Sequence, residues 1–285
     1  HYMGVYGRLN VLIEVAQGLA TVAGGVLAEF SDFWCYAACV VIAVLALLPV
    51  LWMAEPPQCG KAADTAGGSA KDAPAEGTPA QRTIWETVKH HFAVSACILQ
   101  KDARIGKIIG FYSVVFAAHT LLFFYSQQYF ADLGYNKVQI SVIMLLVGGA
   151  SCFGALASEK MYRRFGKRCL IPETVIIAAA ILCYGSGKAG VAAAALMCAG
   201  FANAALYPVQ SDSLNALIPS EQRATLISVD SMCFSIAMIV LFPLAGALAD
   251  RWGLKTVLLL LGAILLLFLL TVICIEKESF SSGHS

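Results

Sequence analysis

Gly25-Val26-Leu27-Ala28-Glu29, Gly154-Ala155-Leu156-Ala157-Ser158-Glu159 and Gly246-Ala247-Leu248-Ala249-Asp250 are versions of one phrase, and each closes a long apolar stretch. Eight stretches approach the roughly 20 apolar residues that cross ~30 Å of hydrocarbon. They are 9–28, 33–54, 108–130, 138–158, 170–186, 189–208, 224–249 and 254–275. The pair 170–186 and 189–208 is the least clearly divided, because only Gly185-Ser186-Gly187-Lys188 separates them. The phrase falls in the first, fourth and seventh spans, so it recurs every third span. A three-span period marks a bundle built by duplication, the plan of many secondary transporters. Gly and Ala are also common in membrane helices, so chance recurrence is the competing reading.

Composition agrees with a membrane chain. The 285 residues are 59% hydrophobic and 13% charged, and the mean hydropathy is +0.75. No soluble domain needs so much apolar surface. Orientation follows from the basic residues. With the N-terminus cytoplasmic, fifteen Lys and Arg fall on inside segments. Only Lys137, Lys188, Arg251 and Lys255 fall outside, which accounts for all 19. The formal net charge of +1 argues against a nucleic-acid partner. The ten cysteines include no Cys-x-x-Cys and no Cys/His ligand spacing, so they read as small packing residues, with no metal and no cofactor implied.

Residues 55–82 are rich in Ala, Gly, Pro and Ser and show no periodicity, as a linker does. Thr83-Ile84-Trp85-Glu86 has the form of a capping box. It predicts a short interfacial helix over 84–99. The chain therefore divides into two spans (1–54), a linker with its helix (55–104) and six spans (105–285).

Further stretches carry a resemblance. The segment Ser158-Glu159-Lys160-Met161-Tyr162-Arg163-Arg164-Phe165-Gly166-Lys167-Arg168 is similar to a basic loop of the major facilitator superfamily. Pro219-Ser220-Glu221-Gln222-Arg223 and Pro243…Gly246…Asp250-Arg251-Trp252-Gly253 resemble two further stretches of that family. The resemblance covers essentially the whole chain. It implies an all-α helical bundle of two six-helix halves, of which the spans here are the fifth to the twelfth. The start at His1, close to a span, suggests that about four helices precede it. The family's drug-proton antiporters often carry Gly-Pro-x-x-Gly-Gly in the fifth helix. Here the aligned residues are Ala20-Thr21-Val22-Ala23-Gly24-Gly25, which lack the leading Gly-Pro.

Ionisable groups inside hydrocarbon cost ~2.5–3.5 kcal/mol on insertion scales, so they are functional candidates. Two acids, Glu14 and Asp230, are read as intramembrane, and His119 is the one histidine there. Asn10, Glu14, Gln17 and Thr21 share a helix face, as a cavity wall or a packing face would. Tyr112, His119 and Ser126 are spaced by seven, with Gln127 beside them. Asn203 and Tyr207 lie on a third polar stripe, and Pro208 predicts a kink or an end to that helix. In the family the seventh and tenth helices supply much of the substrate site, which supports the last two stripes. Glu14, His119 and Asp230 are the candidates for proton coupling. Asp230 also reads as a structural partner for a loop arginine. Glu159, Arg163, Arg164, Gly166, Lys167, Arg168 and Arg223 form an expected cytoplasmic latch.

The resulting expectation is a monomeric, multi-pass transporter in the cell membrane, with its N-terminus and residues 55–104 cytoplasmic. It would exchange a small organic solute by alternating access, as proton-coupled efflux. Uptake of a sugar, organic acid or peptide is the alternative. A membrane enzyme would need a cluster such as His-Glu-x-x-His. His90-His91 is the nearest approach and lacks the spacing. A non-transporting scaffold is the remaining class.

Overall fold

The computed structural model describes residues 2–52, 103–166, 170–217 and 223–282. The linker, the expected helix over 84–99, and Lys167 and Arg168 lie outside the described residues. Eight helices follow in chain order: α1 (Tyr2–Phe30), α2 (Asp32–Leu51), α3 (Ala103–Asp132), α4 (Lys137–Phe165), α5 (Leu170–Cys183), α6 (Ala189–Leu217), α7 (Arg223–Trp252) and α8 (Leu254–Ser282). No strand occurs among the described residues. Seven helices are long and apolar enough to cross a membrane. The eighth, α5 extended by a 3-10 turn to Ser186, is shorter. The eight helices coincide with the eight expected stretches, and seven of them meet the length of a span.

Short-range chemistry sets the helix ends. Asn136 caps α4 reciprocally: its Oδ1 accepts from Gln139 N–H at 2.8 Å, and Gln139 Oε1 accepts from Asn136 N–H at 3.0 Å. Ser31 alone separates α1 from α2 and accepts from Phe33 N–H at 3.3 Å. Gly253 alone separates α7 from α8, at φ +82°, a conformation that strains any residue with a Cβ. The turns α1–α2, α3–α4, α5–α6 and α7–α8 therefore fall at one end of the bundle, the short-turn end, and the connections that include residues 53–102, 167–169 and 218–222 at the other.

Two helices run further than their apolar stretches. The expected basic loop after the fourth span is helical through Phe165. Glu159, Lys160, Met161 and Arg163 are good helix formers that leave hydrocarbon without leaving the helix. Gly166, at φ +56°, ends it. Pro208 does not end α6, which continues to Leu217.

In lipid, apolar side chains gain little by leaving the solvent, so helices associate through close packing and interhelical hydrogen bonds. Here α4 lies between α1 and α6, and small residues line both seams. A Cβ on Gly25 would stand 2.5 Å from Ser141 Oγ, and one on Gly18 2.8 Å from Leu145. On the other flank, a Cβ on Gly154 would run into the Phe201 carbonyl, and one on Gly200 would stand 2.9 Å from Ser151 Oγ. Ser158 Oγ donates to Ala205 O at 2.8 Å. Gly246 of α7 faces the Tyr125 hydroxyl of α3, which donates to Phe242 O at 2.9 Å. Every glycine of the repeated phrase thus sits at a helix contact.

The remaining core joins α3, α5, α6 and α8 around Leu122, Ile177, Ile181, Leu196 and Leu258. Tyr129 hydroxyl closes its short-turn end by donating to Tyr184 O at 3.0 Å. Helix α2 buries none of its residues and packs on α1.

Gly154→Ala should destabilise the bundle by about 1–3 kcal/mol, because the backbone of Phe201 cannot yield as a side chain would. Gly149→Ala meets nothing within 4 Å and should be neutral or slightly stabilising. Thermal unfolding of the two variants in detergent checks the contrast.

Candidate functional site

Four helices meet around a cavity of about 370 Å³ near the middle of the bundle. Helix α1 contributes Glu14, Gln17, Gly18 and Thr21, and α4 contributes Met144, Val147, Gly148 and Ser151. Both sets follow the i, i+3, i+4, i+7 spacing of one helical face. Helix α3 adds His119, Thr120 and Phe123, and α6 adds Asn203, Ala204 and Tyr207.

The lining is amphipathic. Tyr207 stacks on Phe116 at 5.6 Å between centroids, which props the phenol at the cavity wall. Phe123, Met144 and Val147 supply apolar surface. Thr21 Oγ1 donates to Gln17 O at 2.8 Å, so its donor is already used within α1. His119 Nε2 and Asn203 Oδ1 are buried and find no hydrogen-bond partner. An unsatisfied buried polar atom costs about 1–3 kcal/mol. A ligand that supplies the missing partners recovers that cost. The site can therefore accept hydrogen bonds, offer a carboxylate and cover an apolar surface.

The expected site residues fall into three groups. Glu14, Gln17, Thr21, His119, Asn203 and Tyr207 are brought together at the cavity. Asn10 lies on the same helix, but its side chain is outside the described residues. Tyr112, Ser126 and Gln127 stand apart. Tyr112 is 1% exposed and packs between Phe111 and Phe116. Ser126 is fully buried and donates to Phe123 O at 2.7 Å. Gln127 is exposed on the bundle surface. The sequence reading passes over Thr120, Phe123, Ala204 and the whole α4 wall. The small-residue face Ser141, Gly148, Ser151 and Ala155 was the available signal for α4.

Asp230 lies elsewhere, between α6 and α7. Among the described residues its partner is Gln210, whose Nε2 donates to Asp230 Oδ1 at 2.9 Å and Oδ2 at 3.0 Å. A third intramembrane acid also emerges. Glu173, in the first turn of α5, is 1% exposed, and neither carboxyl oxygen finds a partner. The sequence reading missed it because it stands close to the start of its span.

The expected latch is only partly described. Arg163 pairs with Glu159 of its own helix at 3.7 Å, and Arg164 lies over the Phe165 ring at 5.7 Å. Arg223 opens α7, with its side chain outside the described residues. A direct bridge stands at the short-turn end instead. Lys137 Nζ donates to Asp32 Oδ1 at 2.8 Å and to Ala28 O at 3.1 Å, tying α4 to the α1–α2 corner. Being exposed and screened by solvent, this pair adds little stability. Among the described residues, no cluster of His, Cys, Asp and Glu could hold a metal ion.

The family model described as the Major Facilitator Superfamily matches residues 1–186 and 174–283. A search of curated proteins finds no match. The two matched regions reach from α1 through α8 and include every helix that lines the cavity. By its family match and its bundle of apolar helices, the chain belongs to the Major Facilitator Superfamily of multi-pass membrane transporters.

Proposed function

We propose that the protein is a monomeric, proton-coupled transporter of the cell membrane that exports a small organic solute through the four-helix cavity by alternating access. The short-turn end faces outward and the opposite end faces the cytoplasm, in keeping with the bias of Lys and Arg. One observation carries the reading. His119 Nε2 and Asn203 Oδ1 are unpartnered polar atoms in a cavity at mid-helix, on two helices that contact each other. A structural role would satisfy them; a solute site leaves them for the solute.

Glu14 is the coupling group in this reading. It shares the cavity with His119, so a proton on the carboxyl and a solute in the cavity sense each other directly. Asp230 is the weaker candidate, because Gln210 already binds both its oxygens. Alternating access needs only that proton and solute bias a pre-existing equilibrium. Lys137 and Asp32 hold the short-turn end together in the state described here.

The test is solute flux by the full-length gene product in proteoliposomes with an imposed pH gradient. Exchange should follow the gradient, with solute leaving the compartment equivalent to the cytoplasm. Asn203→Ala should lower affinity for the solute about tenfold, the loss of one or two hydrogen bonds made to buried groups. Glu14→Gln should abolish the response to the gradient while solute exchange down its own gradient persists. Flux in the same direction as the proton would replace export with uptake. Flux indifferent to both residues would remove the cavity as the site.

Placement of the lining can be checked separately. In a cysteine-free background, Ser151→Cys and Thr120→Cys should react with a membrane-impermeant thiol reagent at least tenfold faster than Ser126→Cys. Similar rates at all three would contradict the cavity.

A further inference from the structure

Glu14 borders two chambers. One is the polar cavity. The other is a groove of about 530 Å³ on the opposite side of the α1–α4 crossing. Leu19 of α1, Leu145 and Phe153 of α4, and Met197 and Phe201 of α6 form much of it. Among the described residues, Glu14 is the only Asp, Glu, Lys or Arg that lines either chamber. Gly148 borders both as well, and a Cβ there would stand 3.7 Å from Glu14 Oε2. Glu14 and Gly148 thus stand where the two chambers adjoin. Leu19 is 64% exposed and Phe153 70%, so among the described residues the groove opens on the flank of the bundle.

This arrangement has a definite chemical complement. A lone carboxylate between a polar chamber and an apolar one favours a positive charge that carries an apolar body. The aromatic rings of Phe153 and Phe201 can also attract an organic cation through their faces. Among the described lining residues, an anion would meet Glu14 with no cation to offset it.

We propose that the groove is a lateral vestibule of the transport site and that the solute is an amphiphilic organic cation. The ammonium or phosphonium centre lies against Glu14, and the apolar part occupies the groove on arrival from the bilayer. This rests on the transport reading above and names its substrate class.

The protein in lipid nanodiscs is tested with radiolabelled tetraphenylphosphonium, after subtraction of binding to empty nanodiscs. Tetraphenylborate, of the same shape and opposite charge, and tetramethylammonium, a cation with little apolar surface, serve as competitors. Saturable tetraphenylphosphonium binding is expected. Glu14→Gln should weaken it at least tenfold and Glu14→Asp should largely restore it. Phe153→Ala, a change on the exposed flank that leaves the seams intact, should weaken it several-fold. Tetraphenylborate should not compete, and tetramethylammonium should need at least a hundredfold higher concentration. Equal competition by tetraphenylborate, or binding indifferent to Glu14 and Phe153 in variants that elute as the parent does, would overturn the proposal. Failure of the cation class alone would leave Asn203-dependent flux of some other solute intact. Loss of any dependence on Asn203 would overturn the transport reading itself.

Discussion

The architecture depends on how closely α4 approaches its two neighbours. Gly25 and Gly18 of α1 meet Ser141 and Leu145 on one flank, and Gly154 and Ser151 of α4 meet Phe201 and Gly200 of α6 on the other. Between apolar helices in lipid, such contacts replace the hydrophobic effect that would hold a soluble bundle. They also fix what faces what. With α1 drawn against α4, the polar stripe on α1 cannot face lipid, and Glu14 comes to rest beside Gly148. With α6 drawn against the other flank, Asn203 and Tyr207 complete the same chamber. The cavity is what remains when small residues pull three helices together and α3 contributes a fourth wall.

The interior then contains polar atoms that the fold itself does not satisfy. Ser158, which occupies the place of an acid in the repeated phrase, donates to Ala205 O and strengthens a seam. Asp230 is held by Gln210. His119 and Asn203 are not treated in this way. In the transport reading proposed above, the difference separates polar groups that build the bundle from cavity groups that a solute would engage. Glu173 belongs to neither class on the present geometry, being buried in α5 without a partner and away from the cavity lining.

The fold was legible because hydrophobic length is a strong signal and the basic residues are so unevenly distributed. The α1 stripe was legible for a related reason. Glu14, Gln17 and Thr21 are polar in an apolar helix, and their spacing gives one face. The same logic placed Tyr112 and Ser126 beside His119 and went astray. Residues seven apart share a face of α3, yet its neighbours change along its length. Phe111 and Phe116 enclose Tyr112, and the hydroxyl of Ser126 turns back to its own helix. The α4 wall was hidden because Met144, Val147 and Gly148 look like any membrane helix. The stretch after Ser158 was read as a loop because charge ends a span. Helical propensity carries the backbone on to Gly166.

The most direct measurement is a disulfide across the α1–α4 seam. In a cysteine-free background, Gly25→Cys and Ser141→Cys place their Cβ atoms close together, 2.6 Å apart before relaxation. About 1 Å of separation brings them into the range that a disulfide spans. Mild oxidation in the membrane should cross-link this pair rapidly and leave Gly25→Cys with Ser151→Cys unlinked. Failure of the first pair to form, or equal cross-linking of both, would mean that α1 does not lie on α4 in this register. The cavity would then lose the wall that carries Glu14.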